Sequence, residues 1–363
     1  MFNRRIAVAA LAVSALVVAA PTSASATPGT PPTTKVLTTK VIVPFNLAVT
    51  KSSLYAADGG RNALVRVRAD GSLRTIVYGP ASTGGELTGV AVSERDGSIG
   101  YTTTVSANEA NAHGALHVRK RGGATKTFST IAYEEKANPD QVNQYGIANA
   151  PDCAKAILGP DASYTGRVDS HAFSVAAYKN GSWLVADAAG NDIVKFSRKG
   201  KPSTVAVLPP QPLTITPEFI TAAGLPPETA GCLVGLTYNF EAVPTDIEVG
   251  HNGYLYVSTL AGGPEVGARS SVYRINPRNG HSKLLATGFA GATNLALFKG
   301  KVYVAELFGG QISVIKKGAP ATYLSLPNVL SVEAGRGHLY AGTGVTGPGS
   351  IVKIVKGKAT SVS

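Results

Sequence analysis

The chain has 363 residues, a formal net charge of +12, and only two cysteines, with Gly and Pro contributing 41 and 22 residues. Its Lys and Arg residues are scattered as singles and pairs such as Lys316-Lys317, with no basic run, aromatic platform or nucleic-acid motif, which excludes a nucleic-acid partner. Beyond the first 26 residues no segment is apolar enough for a membrane span.

Residues 1–26, "MFNRRIAVAALAVSALVVAAPTSASA", place Arg4 and Arg5 before an uncharged apolar run from Ile6 to Ala20 and end in Ala24-Ser25-Ala26. The run is shorter than the ~20 residues of a spanning helix, so the pattern predicts a secretory signal peptide cut before Thr27. Removing Arg4 and Arg5 lowers the charge from +12 to +10. Residues 27–34 read as a disordered linker and 35–363 as one domain of a monomer, secreted and extracellular or cell-wall associated. The positive charge suits a solvated surface or non-specific attraction to an anionic cell-wall polymer. In an oxidising compartment the two cysteines, Cys153 and Cys232, are expected to pair. Neither has the histidine or second cysteine at short spacing that a nucleophile or metal ligand needs.

The rest of the chain repeats. "NLAV" from 46 leads into "LYAADGGRNALVRVRADG" at 54–71 and then "LRTIVYGP". The outline recurs as "GVAV" from 89 with "IGYTTTVSANEANAHGALHVRKRGG", and as "FSVAA" from 173 with "LVADAAGNDIVKFSRKG" and "STVAVLPP". It returns as "DIEV" from 246 with "LYVSTLAGGPEVGARSSVYRINPRNG", as "NLAL" from 294 with "VYVAELFGGQISVIKKG", and as "LSVEA" from 330 with "LYAGTGVTGPGSIVKIVKG". Each unit is four short strands separated by Gly, Asn, Asp and Pro turns. Six such units of about 40 residues predict an all-β chain, a six-bladed β-propeller of four-stranded antiparallel blades, with a β-sandwich or two smaller β-domains as the alternative. One sheet cannot bury both faces alone, so the blades must close into a ring. Two segments compete for the closing strand, "KVLTTKVIV" at 35–43 and the terminal "KATSVS".

Two insertions break the rhythm, at about 133–168 and 209–243. The second contains "TPEFITAAGLPPETAGC", which predicts a short helix opened by Thr216 with Pro217 at its first position. Both insertions connect a fourth strand to the next first strand, so they emerge over one face. A Cys153–Cys232 bridge would tie them into a lid. Long loops on a rigid scaffold are where binding sites concentrate.

Asp187 resembles a catalytic carboxylate, but Asp58 and Glu306 occupy the same place in other units. A repeated carboxylate before a Gly-rich turn reads as loop chemistry, accepting backbone N–H bonds. More informative is the start of each first strand, where Asn46, Gly89, Ser174, Asp246, Asn294 and Ser331 align. The oxygens of Asn46, Asp246 and Asn294 are candidate ligands for Ca²⁺ or Mg²⁺, which would polarise a carbonyl or activate a water. Just upstream lie Glu86, Tyr145, Asp169, His171 and Glu241, candidates for binding a small molecule or glycan. No G-x-S-x-G elbow, H-E-x-x-H helix, Walker loop or strand-to-helix G-x-G-x-x-G occurs.

Together "YEEKANPDQVNQYGIA", "RVDSHAFSVAA", "LVADAAGNDIVKFS" and "FEAVPTDIEVGHNGYLYVSTLAGGPEVG" resemble the ScyD/ScyE family of exported bacterial propellers. The resemblance implies a six-bladed propeller akin to NHL repeats and to the gluconolactonase and strictosidine-synthase group, with no settled reaction. The lactonase relatives hold metal with Glu, Asn and Asp on inner strands, and the counterparts here are Asp246, Asn294 and Asn46, without the glutamate. The leading expectation is therefore an exported binding protein, and the alternative is a divalent-metal-dependent lactonase or hydrolase.

Overall fold

The computed structural model describes residues 32–355 apart from 83, 107–111 and 266. Residues 1–26, expected to be a signal peptide, and "KATSVS" lie outside the described residues. Seven four-stranded antiparallel sheets account for most of the rest. Sheet one comprises Pro44–Val49, Leu54–Asp58, Ala63–Val67 and Leu73–Tyr78. Sheet two comprises Gly85–Val92, Ile99–Ser106, Ala112–Arg119 and Thr125–Ser129. Sheet three comprises Ala172–Ala177, Trp183–Asp187, Asp192–Phe196 and Pro202–Val207. Sheet four comprises Pro244–Val249, Leu255–Thr259, Ser270–Ile275 and Ser282–Phe289. Sheet five comprises Ala292–Phe298, Lys301–Glu306, Gln311–Lys316 and Ala319–Ser325. Sheet six joins Val329–Gly335, His338–Thr343 and Ser350–Val355 to the N-terminal strand Thr33–Thr38.

The closing strand is therefore the N-terminal one, paired antiparallel from Thr33 opposite Val355 to Thr38 opposite Ile351. It begins inside the segment 27–34 that reads as a linker, because its early side chains are exposed and carry no apolar alternation. The first strands of sheets one to six contact one another in cyclic order, and sheet six returns to sheet one. This is the architecture of a β-propeller.

Burial explains the sequence texture. The second strand "WLVAD" is buried at every position and the other second strands at most of theirs, because neighbouring sheets cover both faces, and they read as largely apolar runs. Fourth strands such as "LRTIVY" lie at the periphery and are half exposed. In each of these six sheets the pairing of first and second strands slips by a bulge near its start, at Pro44/Asn46 in sheet one and Ala172/Ser174 in sheet three. A bulge re-aims the side chains beside it. The turn before the third strand takes the left-handed conformation, at Asn62 (φ 45°), Asn191 (φ 51°) and Gly310 (φ 58°), residues that tolerate it.

The seventh sheet belongs to the insertions. Its strands run Ser163–Thr165, Gln144–Gly146, Thr237–Phe240 and Gln211–Thr214, so the two excursions form one cap. The Cys153–Cys232 disulfide joins them, over an apolar cluster that includes Ile147, Leu158, Phe219, Ile220 and Leu233. Thr216 caps the helix Pro217–Ala222 as expected, accepting from Phe219 N at 3.2 Å. Two further helices, Ile131–Ala137 and Asp152–Leu158, were not legible, being seven residues each and too short for a periodic signal. The first insertion starts before the expected residue 133, since the helix already opens at Ile131. Tyr133 pins that helix to sheet three through a 2.8 Å contact with Thr204 Oγ1.

Candidate functional site beneath the cap

The aligned column at the start of the first strands forms a set of braces between sheets. Asp246 is buried, and its Oδ1 accepts from Asn46 Nδ2 at 3.1 Å and Ser174 Oγ at 2.6 Å. Its Oδ2 accepts from Leu295 N at 3.0 Å. The Asn46 bond links sheets one and four, which are not neighbours in the ring, and so crosses the central axis. Asn294 Oδ1 accepts from Val332 N at 2.8 Å, and Ser331 Oγ donates to Pro44 O at 2.7 Å. Burial raises the Asp246 pKa to about 6, against the pull of its Ser174, Leu295 and Asn46 hydrogen bonds. The structure thus brings Asn46 and Asp246 into contact, while the Asn294 oxygen faces a backbone N–H. A cation there would have to displace hydrogen bonds that already satisfy Asp246 and Asn294.

Two residues further along the same strands, the column reads Ala48, Ala91, Ala176, Glu248, Ala296 and Glu333. Glu248 and Glu333 hydrogen-bond to each other, and burial raises both pKa values, that of Glu248 to about 8. Two glutamates in an otherwise alanine column were the available signal for this pair.

Asp187 has the structural surroundings that its repeats imply. Its Oδ1 accepts from His171 N at 2.7 Å and Gly190 N at 3.1 Å, and its Oδ2 from Ser170 Oγ at 2.5 Å. Asp58 likewise accepts from Val43 N at 3.1 Å and Ile42 N at 3.2 Å, and Glu306 from Ala290 N at 2.7 Å. Most of these donors lie in the chain entering the first strand, and only Gly190 lies in the turn after Asp187. The repeated carboxylate therefore anchors the incoming chain of its own sheet.

Four of the five upstream candidates lie at or just before the first strands of sheets two, three and four, whereas Tyr145 lies in the cap sheet. Glu86 is the second residue of sheet two, His171 immediately precedes sheet three, and Glu241 lies three residues before sheet four. His171 Nε2 stands 2.5 Å from Glu86 Oε1. Burial lowers the His171 pKa, but Glu86, Asp187 and Asp169 outweigh it, so the imidazolium is favoured overall. Asp169 Oδ1 accepts from Ser170 N at 2.8 Å. Glu241 Oε1 accepts from Tyr164 Oη at 3.1 Å, and the Arg167 guanidinium lies over the Tyr164 ring, 4.2 Å from its centre. Tyr145 differs from the others in being fully enclosed, with its hydroxyl donating to Asp140 Oδ2 at 3.1 Å. Phe45 and Phe173 meet edge to face at 5.8 Å beside this group, and Phe45 is half exposed.

Asn191 ties the cap to the sheets. Its Nδ2 donates to Asp140 Oδ2 at 3.0 Å, and its Oδ1 accepts from Val243 N at 3.0 Å. Around it lie Glu134, Asp140 and Asp192, all buried and absent from the sequence-based candidates. Burial and neighbouring acids raise Glu134 to about 9 and push Asp192 well above the carboxylate range, while burial raises Asp140 to about 6. Within the first insertion, Gln144, Ala148, Asn149, Ala150, Lys155 and Ser163 line a depression of about 480 Å³.

No protein-family model matches the chain, and no curated protein matches it. Solved structures do. A glucose dehydrogenase is 14% identical over 90% of this chain and 100% of its own, with a TM-score of 0.56. A streptogramin B lyase is 13% identical over 91% of this chain and 98% of its own, with a TM-score of 0.50. A gluconolactonase from Xanthomonas campestris is 12% identical over 92% of this chain and 99% of its own, also at 0.50. These likenesses support the propeller fold. Among the described residues no helix is long and apolar enough to cross a membrane.

Proposed function

We propose that the protein is an exported six-bladed β-propeller that binds a small hydroxyl-rich ligand, a sugar or glycan, on the rim beneath its cap. The cyclic order of the first strands supports the six blades, with the seventh sheet as an added lid. One observation carries the binding reading: Glu86 stands against the buried His171 and Glu241 against Tyr164, while Glu86, Asp169, Glu241 and Phe45 are each partly exposed. Ionised carboxylates only accept hydrogen bonds, which matches a ligand rich in hydroxyl donors, and an aromatic face suits the apolar side of a sugar ring. The Tyr164 hydroxyl, whose one proton goes to Glu241, can accept from the ligand.

A thermal-shift screen of mono- and oligosaccharides, aldonolactones and divalent metals tests this. A saccharide should raise the melting temperature in wild type and not in Glu86→Gln or Glu241→Gln. Failure of every saccharide to shift it would remove the reading. The second reading is a lactonase using Ca²⁺ or Mg²⁺ at Asn46, Asp246 and Asn294, and it requires Asp246 to give up hydrogen bonds from three partners. Aldonolactone hydrolysis that depends on added metal and vanishes in Asp246→Asn would establish it instead.

A further inference from the structure

Antiparallel pairing sends alternate turns of every sheet to opposite ends of the ring. The turns between first and second strands share one end with the turns between third and fourth strands. The turns between second and third strands share the other with the connections between sheets and the cap. This rule sorts cations that look scattered along the chain. Lys51, Arg95, Lys179, Lys299 and Arg336 occupy first-to-second turns of five sheets, and all are exposed. The third-to-fourth turns add eight more exposed Lys and Arg residues, three of them in "SRKGK" at 197–201. Against these thirteen cations the same turns hold three acids, Asp70, Glu94 and Asp96. The capped end has the opposite balance, with ten Asp and Glu against six Lys and Arg in its described turns and connections.

Neighbouring sheets bring the basic turns against one another. A Cβ on Gly253, in sheet four, would stand 3.6 Å from Lys179 Nζ in sheet three. One on Gly181, in sheet three, would stand 3.1 Å from Arg95 Nη1 in sheet two and 3.6 Å from Arg198 Cδ. Gly97 lies against the Arg121 guanidinium, so Arg95, Arg121, Lys179 and Arg198 crowd one stretch of this end. On the far side of the ring, Arg336 Nε donates to Thr50 O at 2.7 Å, which joins the turns of sheets six and one beside Lys51. The local acids do not neutralise the cations. Asp70 and Asp96 accept from Ser72 and Ser98 inside their own turns. Among the described residues the ion pairs stand at the capped end, as Arg61–Asp58 and Arg167–Asp161 do, and none uses one of the thirteen. Unpartnered charge of one sign repels itself, and an anionic partner relieves that repulsion.

We propose that the uncapped end of the ring docks on a linear polymer of phosphate groups outside the cell. Ammonium and guanidinium groups both pair with phosphate oxygens. Spread over the turns of all six sheets, they engage many groups of one polymer at once, so contacts that are weak singly combine. A bilayer fits this end less well. Peripheral membrane binding needs apolar side chains to bury, and among the described residues no exposed large apolar side chain lies in these turns. The docked end is opposite the rim, so the polymer and a rim ligand can be held together.

The test uses the chain from Thr27 onward and long-chain inorganic polyphosphate as the probe, at about 50 and 200 mM salt. Wild type should bind, with an affinity that falls at least about 10-fold between the two. The triple variant Arg95→Glu/Lys179→Glu/Arg198→Glu should bind at least about 10-fold more weakly. The same change of net charge at the capped end, Lys40→Glu/Lys136→Glu/Lys155→Glu, should cost less than about 3-fold, because salt screens charges beyond about 8–10 Å. All six side chains are exposed, so both variants should melt within a few degrees of wild type, and Gln at the three basic positions should give an intermediate loss. Equal weakening by the two triple variants would reduce the effect to net charge and overturn the docking face, as would no binding by wild type at the lower salt. Binding to phosphatidylglycerol vesicles without binding to polyphosphate would overturn the polymer in favour of a bilayer. Glu86→Gln should bind polyphosphate as wild type does, which separates failure of this end from failure of the rim.

Discussion

Replacing both cysteines with serine should loosen the cap before the ring. Cys153 and Cys232 are 79 residues apart, and the chain-entropy relation gives about 4.5 kcal/mol for closing a loop of that length in the unfolded state. Unfolding entropy of about 2.1 cal/mol/K per residue, over a chain of this length, converts that into a fall in melting temperature of up to roughly 7 °C. The loss should be unevenly distributed. The loop encloses the whole of sheet three, but the bridge itself sits over the cap cluster of Ile147, Leu158, Phe219 and Leu233. Calorimetry of oxidised wild type against the Cys153→Ser/Cys232→Ser variant, with hydrogen exchange read peptide by peptide, separates the two effects. Cap peptides should lose protection first, while second strands such as Trp183–Asp187 keep theirs. An unchanged melting temperature together with unchanged exchange in the cap would refute the account of the bridge.

His171 offers a pH signature. Its folded pKa is raised above its unfolded value of about 6.5, so the stability it contributes is complete below that pH and lost as the pH climbs through the folded value. The gap in urea stability between wild type and His171→Gln should therefore narrow from about pH 6.5 upward, and a gap independent of pH would contradict the Glu86 pairing. Asp246→Ala leaves the Asn46, Ser174 and Leu295 donors without their acceptor, and at about 1–3 kcal/mol per orphaned buried group the cost should be about 4 kcal/mol in urea unfolding. A loss under about 1 kcal/mol would mean that the brace across the axis carries little.

The repeat was legible because the units share the same physics: a mostly buried second strand in all six and, in sheets one, three and five, a turn residue that accepts positive φ and a carboxylate that anchors the incoming chain. Comparing units turned Asp187 from a candidate catalyst into such an anchor. The ring closure was not legible, because Thr33–Thr38 is an exposed edge strand whose pairing with Ser350–Val355 depends on two distant chain ends. The cap sheet was hidden for a similar reason, since its three- and four-residue strands meet only after both insertions return to the same face. Among the rim residues, Glu86 and His171 meet as a pair, whereas Tyr145 is enclosed by the cap it belongs to. Glu134, Asp140 and Asp192 passed unnoticed because each is an ordinary acid in its own segment. Their burial depends on the insertion folding back onto sheet three, although Asp192, an acid facing the anchoring Asp187 across one hairpin, was a visible departure from the repeat.

The central claim is a ligand site on the rim, and calorimetric titration of the chain from Thr27 onward with the saccharide that most raises its melting temperature tests it most directly. Wild type should bind one equivalent, and Glu86→Gln, Asp169→Asn and Glu241→Gln should each weaken binding at least 10-fold while melting within about 2 °C of wild type, as expected of partly exposed rim residues. Affinity unchanged in all three variants would contradict the account.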